Sequence, residues 1–227
     1  MSGSNDTEIA CKIVSKPAIH YIEAYLPTAY VNHINEYIDR VRESADDYSG
    51  ELVGQINRST LSAQRKLDLG AEVPKTLGAL IVQVGSQLVQ YIGATANVAA
   101  NDMWTIHSYA GDYNPMHDHG ANTFAGLSSI LYLKVPAAIA EKKTPEGSGM
   151  DLTHASGAVD GFTQFVWGTN GITDLNLLRL PTQQFVKPEA GKLIVFPNWM
   201  LHSVHPFSGD GERRTLSCNM DVRIIAP

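Results

Sequence analysis

From Met103 onward the apolar residues come in short, aromatic or β-branched runs, MWTIHSY, SSILYLKV, FTQFVW, KLIVF and TLSCNMDVRII, each closed by turn-forming residues. Such runs are too short for helices, and no helical crossovers of the kind βαβ units require lie between them. The pattern predicts a mostly antiparallel sandwich or barrel. Upstream the period changes. Val31, Ile34, Ile38 and Val41 recur at spacings of three and four, with Asp39, Arg40, Arg42 and Glu43 largely on other faces, which predicts an amphipathic helix from about Pro27 to Ala45. Leu77, Leu80, Ile81, Val84, Leu88, Val89 and Ile92 predict a second, longer helix, and Arg58 to Leu69 a short helical turn. The fold class expected is therefore mainly β with N-terminal helices.

The chain has 227 residues, 44% of them hydrophobic and 18% charged, which suits a single domain. Residues 1–100 read as a mainly helical scaffold and 101–227 as the core. Within the core, about 136–173 carries Gly147, Gly149, Gly157, Gly161, Gly168 and Gly171 with few apolar anchors, and reads as a mobile cover. Lys and Arg number 17 against 23 Asp and Glu, a net charge of −6, so no basic surface for nucleic acid is expected. Two cysteines, Cys11 and Cys218, suit reduced thiols, and the start MSGSNDTEIACK lacks the basic and apolar regions of a signal peptide. Leu77 to Val98 is interrupted by Gln83, Gly85, Gln87 and Gln90, too polar for a membrane span. A cytoplasmic location without membrane contact is the expectation.

The residues suited to chemistry concentrate in two places. In Tyr113–Gly120, YNPMHDHG, His117 and His119 stand two apart, so an extended strand would aim both imidazoles to one face and Asp118 to the other. Phe196 to Asn219 then supplies His202, His205 and the pair Arg213 and Arg214. A strand-borne His-x-His with one distant His outlines a three-point metal site with open positions left over. Blander readings exist for each. Two nearby histidines also occur as surface residues, while His20, His33, His107 and His154 have no chelating neighbour and take no metal role. By themselves Arg213 and Arg214 read as a solvated strand start with a weak surface ion pair, and Tyr109 and Tyr132 as core residues.

The ordered set W-T-I-H-S-Y-A-G-D-Y-N-P-M-H-D-H-G, L-S-S-I-L-Y-L, G-K-L-I-V-F-P-N-W-M-L-H-S-V-H-P and E-R-R-T-L-S-C-N resembles the iron(II)- and 2-oxoglutarate-dependent dioxygenases. The branch it resembles holds bacterial and phage proteins related to prolyl 4-hydroxylases, and the likeness runs from about Met103 to Val222. It implies a double-stranded β-helix, a cupin-like jelly roll buttressed by the N-terminal helices. It also implies an enzyme that uses Fe(II), 2-oxoglutarate and O2 to hydroxylate a C–H bond, releasing succinate and CO2. The branch suggests a peptidyl residue such as proline as substrate.

Carried onto this sequence, the family's His-x-Asp/Glu motif falls on His117-Asp118-His119. The departure is His119, which occupies the carboxylate position and makes the implied iron ligands His117, His119 and His202, a neutral set. Asp118 would replace His119 only through a twist or bulge. His202 follows the Phe-Pro strand end as the family's distal ligand does, leaving His205 to a mouth or supporting role. The arginine that binds the 2-oxoglutarate C5 carboxylate falls on Arg213 or Arg214. Alternation favours Arg213, which shares a face with Thr215, Ser217 and Asn219, whereas Arg214 shares one with Leu216, Cys218 and Met220. Tyr132 matches a tyrosine that donates to that carboxylate, and Tyr109 one that lines the same pocket. A second class stays open: a cupin-like, three-histidine metal-binding protein without oxygenase activity, which has no reason to keep Arg213, Tyr132 and Tyr109.

Overall fold

Every residue from Leu127 to Leu133 is buried, which requires a strand covered on both faces. In this computed structural model, which describes residues 19–51, 63–120, 126–143, 156–168 and 182–225, that strand lies inside the larger of two antiparallel sheets. In chain order the elements are β1 (Ile22–Tyr25), α1 (Thr28–Val41), β2 (Ala63–Lys66), α2 (Glu72–Tyr91), β3 (Ala96–Ser108), β4 (Asn114–His117) and β5 (Gly126–Lys134). There follow α3 (Ala137–Ala140), β6 (Thr163–Val166), β7 (Gln183–Val186), β8 (Lys192–Pro197), β9 (Leu201–Val204) and β10 (Arg213–Ile224). The major sheet runs β1-β8-β5-β10-β3-β2 and the minor sheet β4-β9-β6-β7, the double-stranded β-helix of the jelly-roll class.

Alternation along the strands sorts the interior into two layers. Leu127, Leu131 and Leu133 of β5, Leu193 and Val195 of β8, and Leu216, Cys218 and Met220 of β10 pack under the helices. Their alternates Ile130, Tyr132, Ile194 and Phe196 turn the other way, toward the minor sheet, where they meet Phe165. Val31, Ile34 and Ile38 of α1 and Leu77, Ile81 and Leu88 of α2 supply the helical side of the first layer, at the three-and-four spacing the sequence shows. Burying each such side chain stabilises by about 1.5–3 kcal/mol. Gly85 lets α2 lie close to the sheet, since a Cβ there would stand 3.0 Å from Leu127 Cδ1 and 3.2 Å from Met220 Sδ.

Three expectations need correction. The N-terminal region is not only a helical scaffold, because β1 pairs with β8 and β2 with β3 at the two edges of the major sheet, and β3 already begins at Ala96. The helical turn expected around 58–69 is strand at Ala63–Lys66, whose pairing to His107–Trp104 outweighs weak local preference; residues 58–62 lie outside the described ones. Within 136–173, residues 144–155 and 169–173 lie outside the described residues. The described parts are packed rather than loose, with Ile139, Val159, Phe162 and Phe207 forming a buried cluster. Among the described residues no helix is long and apolar enough to cross a membrane.

Candidate metal centre

The antiparallel pairing of β4 with β9 sets His117 directly opposite His202. His119 follows the end of β4, where its backbone N–H donates to the Asn198 carbonyl at 2.9 Å. The three rings converge, with centroids 4.2 Å (117 to 202), 5.2 Å (119 to 202) and 5.3 Å (117 to 119) apart. One ligand atom from each lies within 4.8 Å of the others, the dimension of a single-ion site. Trp104 stacks on His119, while Phe165 and Phe196 pack against His202.

Hydrogen bonds decide which nitrogens are free. A carbonyl only accepts, so Nδ1–H of His117 donates to Pro115 O at 2.7 Å and Nδ1–H of His202 donates to Met200 O at 3.0 Å. Both rings therefore keep Nε2 as a lone pair; that of His117 faces the Asn114 amide nitrogen at 3.2 Å. Burial, then the neighbouring imidazoles, pushes the His119 pKa down to about 4 and that of His202 to about 3, and burial lowers His117 as well. At neutral pH the cluster is three uncharged nitrogen donors, a set that suits a divalent first-row metal.

Asp118 takes no part in this convergence. Its exposed carboxylate accepts the Gly120 N–H at 3.0 Å, as alternation past His117 requires. His205, three residues beyond His202, points to the opposite face of β9, where its Nε2 meets Gln164 Oε1 at 3.0 Å and its ring meets Phe185. His20 and His33 stand apart from the cluster, His107 is buried against Glu212, and His154 lies outside the described residues.

A cavity of about 190 Å³ opens beside the imidazoles and is lined along β10 by Arg213, Thr215, Ser217 and Asn219. Arg213 is 4% exposed, its Nε has no hydrogen-bond partner, and its guanidinium carbon stands 5.9 Å from the Tyr132 ring centroid. A buried cation that faces a cavity and, among the described residues, bonds no carboxylate fits an anionic ligand, and its fork suits a carboxylate. Tyr132 itself is fully buried beneath it, with its hydroxyl 2.6 Å from Thr163 Oγ1. Arg214 behaves in the opposite way: it bonds Glu212, Asn35 and Asp39 and ties β10 to α1. The surface ion pair considered for this arginine pair is thus replaced by two buried guanidinia, one in a network and one facing the cavity. Tyr109 does not line the cavity. Trp104, Ile106 and Ser108 of β3 do, and Tyr109, of opposite parity and one residue past the strand end, sits in a turn where its N–H donates to Asp112 at 2.7 Å.

Sequence reasoning gave no role to Asn219, Ser128 or Trp104, all of which line the cavity. Parity along β10 puts Asn219 on the face of Arg213, without giving it a role of its own. Ser128 needed the β5–β10 register, which no local pattern announces.

Residues 102–219, more than half of the chain, match the family described as "Putative 2OG-Fe(II) oxygenase". A search of curated proteins finds no match. Among solved structures, the prolyl-4-hydroxylase of Pseudomonas putida superposes with TM-score 0.52 at 17% identity, over 92% of this chain and 94% of that one. The viral collagen prolyl hydroxylase of Paramecium bursaria Chlorella virus-1, solved with 2OG, gives 0.51 at 15% over 88% and 94%. The non-heme α-ketoglutarate-dependent epimerase SnoN of nogalamycin biosynthesis gives 0.60 at 14% over 89% and 76%. At these identities the likenesses show a shared fold.

Proposed function

This chain belongs to the 2OG-Fe(II) oxygenase family, and on that premise we propose that His117, His119 and His202 hold the iron while Arg213 receives the C5 carboxylate of 2-oxoglutarate. The observation that carries the reading is the pairing, in one cavity, of three convergent neutral imidazoles with a buried guanidinium facing it. Bound iron with 2-oxoglutarate and O2 supplies the oxidising power for C–H hydroxylation, with release of succinate and CO2.

The protein's own groups do the rest. Three uncharged ligands leave the ion its full formal charge, where a carboxylate would cancel part of it. Trp104 against His119, and Phe165 and Phe196 against His202, give two of the imidazoles apolar walls, which strengthen the charged contacts beside them. Tyr132 braces the guanidinium from below. The substrate is read as a C–H bond of a peptidyl residue such as proline, a reading supported by the likeness to prolyl hydroxylases. A cupin-like metal binder without oxygenase activity would show the same imidazoles, but has no use for a buried Arg213 that faces the cavity and, among the described residues, bonds no carboxylate.

Iron titration of His119→Ala, His119→Asp and Asp118→Ala, with succinate release measured alongside, tests the ligand set. His119→Ala loses affinity, His119→Asp retains metal, and Asp118→Ala matches the parent. Loss in Asp118→Ala with normal binding in His119→Ala would restore a carboxylate site and overturn the proposal.

A further inference from the structure

Two of the three imidazoles are oriented by their own backbone, since His117 and His202 each donate Nδ1–H to the carbonyl two residues earlier. His119 lacks that arrangement. Its ring instead meets the side-chain amide of Asn219, in the middle of β10. Asn219 is in turn fixed: Ser128, its direct cross-strand neighbour on β5, donates Oγ–H to Asn219 Oδ1 at 2.9 Å. On the other side of β10 the pairing with β3 slips immediately after Asn219, which faces Asp102 while Met220 faces Ala100, leaving Asn101 as an extra residue. Bulges of this kind re-aim side chains next to sites.

A histidine that gives one nitrogen's lone pair to a metal carries hydrogen on the other, and that N–H needs an acceptor to hold the ring and its tautomer. Asn219 Oδ1 has two lone pairs, enough for Ser128 and His119 together. We propose that Asn219, locked by Ser128, is the positioning residue that makes an imidazole at position 119 a competent metal ligand. This rests on the reading of His119 as a ligand. It explains how the ring of a ligand beyond the β4–β9 ladder is oriented without a backbone carbonyl accepting from it, the Asn198 carbonyl holding only the His119 main chain.

The test uses zinc alone as a diamagnetic probe, with zinc affinity and the His119 ring N–H resonance as readouts in the full chain. The variants are His119→Ala, Asn219→Ala, Asn219→Asp and Ser128→Ala. Asn219→Ala should weaken zinc by roughly 10- to 100-fold, the usual effect of losing a partner behind a ligand, and should abolish the protected ring N–H signal. Asn219→Asp, which keeps an acceptor oxygen, should restore most of the affinity and the signal. Should Asn219→Ala fail to fold, Ser128→Ala carries the test, because freeing the amide must move the His119 ring resonance. Parent-like zinc affinity and an unmoved ring signal in Asn219→Ala or Ser128→Ala, with binding lost in His119→Ala, overturn the inference. Parent-like affinity in His119→Ala overturns instead the ligand reading beneath it.

Discussion

His117 and His202 face one another across the β4–β9 pair with ring centroids 4.2 Å apart, so two of the three proposed ligands are brought together by strand register. His205 lies three residues along the same chain direction and therefore on the other face of the sheet, bonded to Gln164. Replacing His202 by Ala should abolish stoichiometric iron binding with the circular dichroism spectrum unchanged, and His205→Ala should bind iron like the parent. The reverse order of effects would show that His205, not His202, stands opposite His117, three residues out of the register described.

Among the described residues no carboxylate bonds Arg213, whose Nε is left without a partner beside the cavity, so its contribution should appear chiefly when 2-oxoglutarate binds. Truncating one partner of a desolvated charge pair costs about 2–5 kcal/mol, which corresponds to about a 30-fold or larger rise in the 2-oxoglutarate concentration for half-saturation of Arg213→Ala. Iron affinity without the keto acid should not move. Arg213→Lys should recover only part of the loss, since an ammonium cannot make the two parallel bonds. Equal 2-oxoglutarate affinity in parent and Arg213→Ala would remove this residue from the site.

Arg214 should act on stability instead. It is 1% exposed and bonded to Glu212 at 3.0 Å and to Asp39 at 2.6 Å, so its removal leaves the largely buried Glu212 carboxylate with only His107 and a more distant Lys134. The expected loss in a urea titration of Arg214→Ala is about 3 kcal/mol, at the low end for a broken buried pair because Asp39 is half exposed. A change within experimental scatter would mean that β10 and α1 do not depend on this bridge.

Acid should weaken the same network. Burial alone would raise the Glu212 carboxyl, but hydrogen bonds from His107, at 2.5 Å, and Arg214 outweigh it and hold the pKa well below the usual carboxylate range. A depressed folded-state pKa means the contribution is full above the unfolded value of about 4.3 and is lost as pH falls below it. Between about pH 5 and 3 the parent should therefore lose stability more steeply than Glu212→Gln. Parallel curves for the two proteins would contradict the assignment.

Much of the site was legible because strand chemistry is periodic. The two-residue spacing of His117 and His119 placed both rings on one side with Asp118 away from them, and the same alternation chose Arg213 over Arg214. Tyr109 shows where that reasoning stops. Its parity is readable in the sequence, yet only the end of β3 at Ser108 and the turn to Asp112 show that it leaves the cavity wall.

The sequence by itself determined the local periods: two helices with apolar stripes, five β runs, and an HDH motif followed by a Phe-Pro-to-His segment, all consequences of side-chain direction in a repeating backbone. Tertiary structure alone decided what those runs pair with. Ala63–Lys66 has no strand pattern of its own and becomes one because β3 offers it an open edge. His202 meets His117, Ser128 meets Asn219, and Arg214 meets Asp39 across separations of 85, 91 and 175 residues. Register between distant strands follows from the summed burial of both sheet faces, which no local window of the sequence contains.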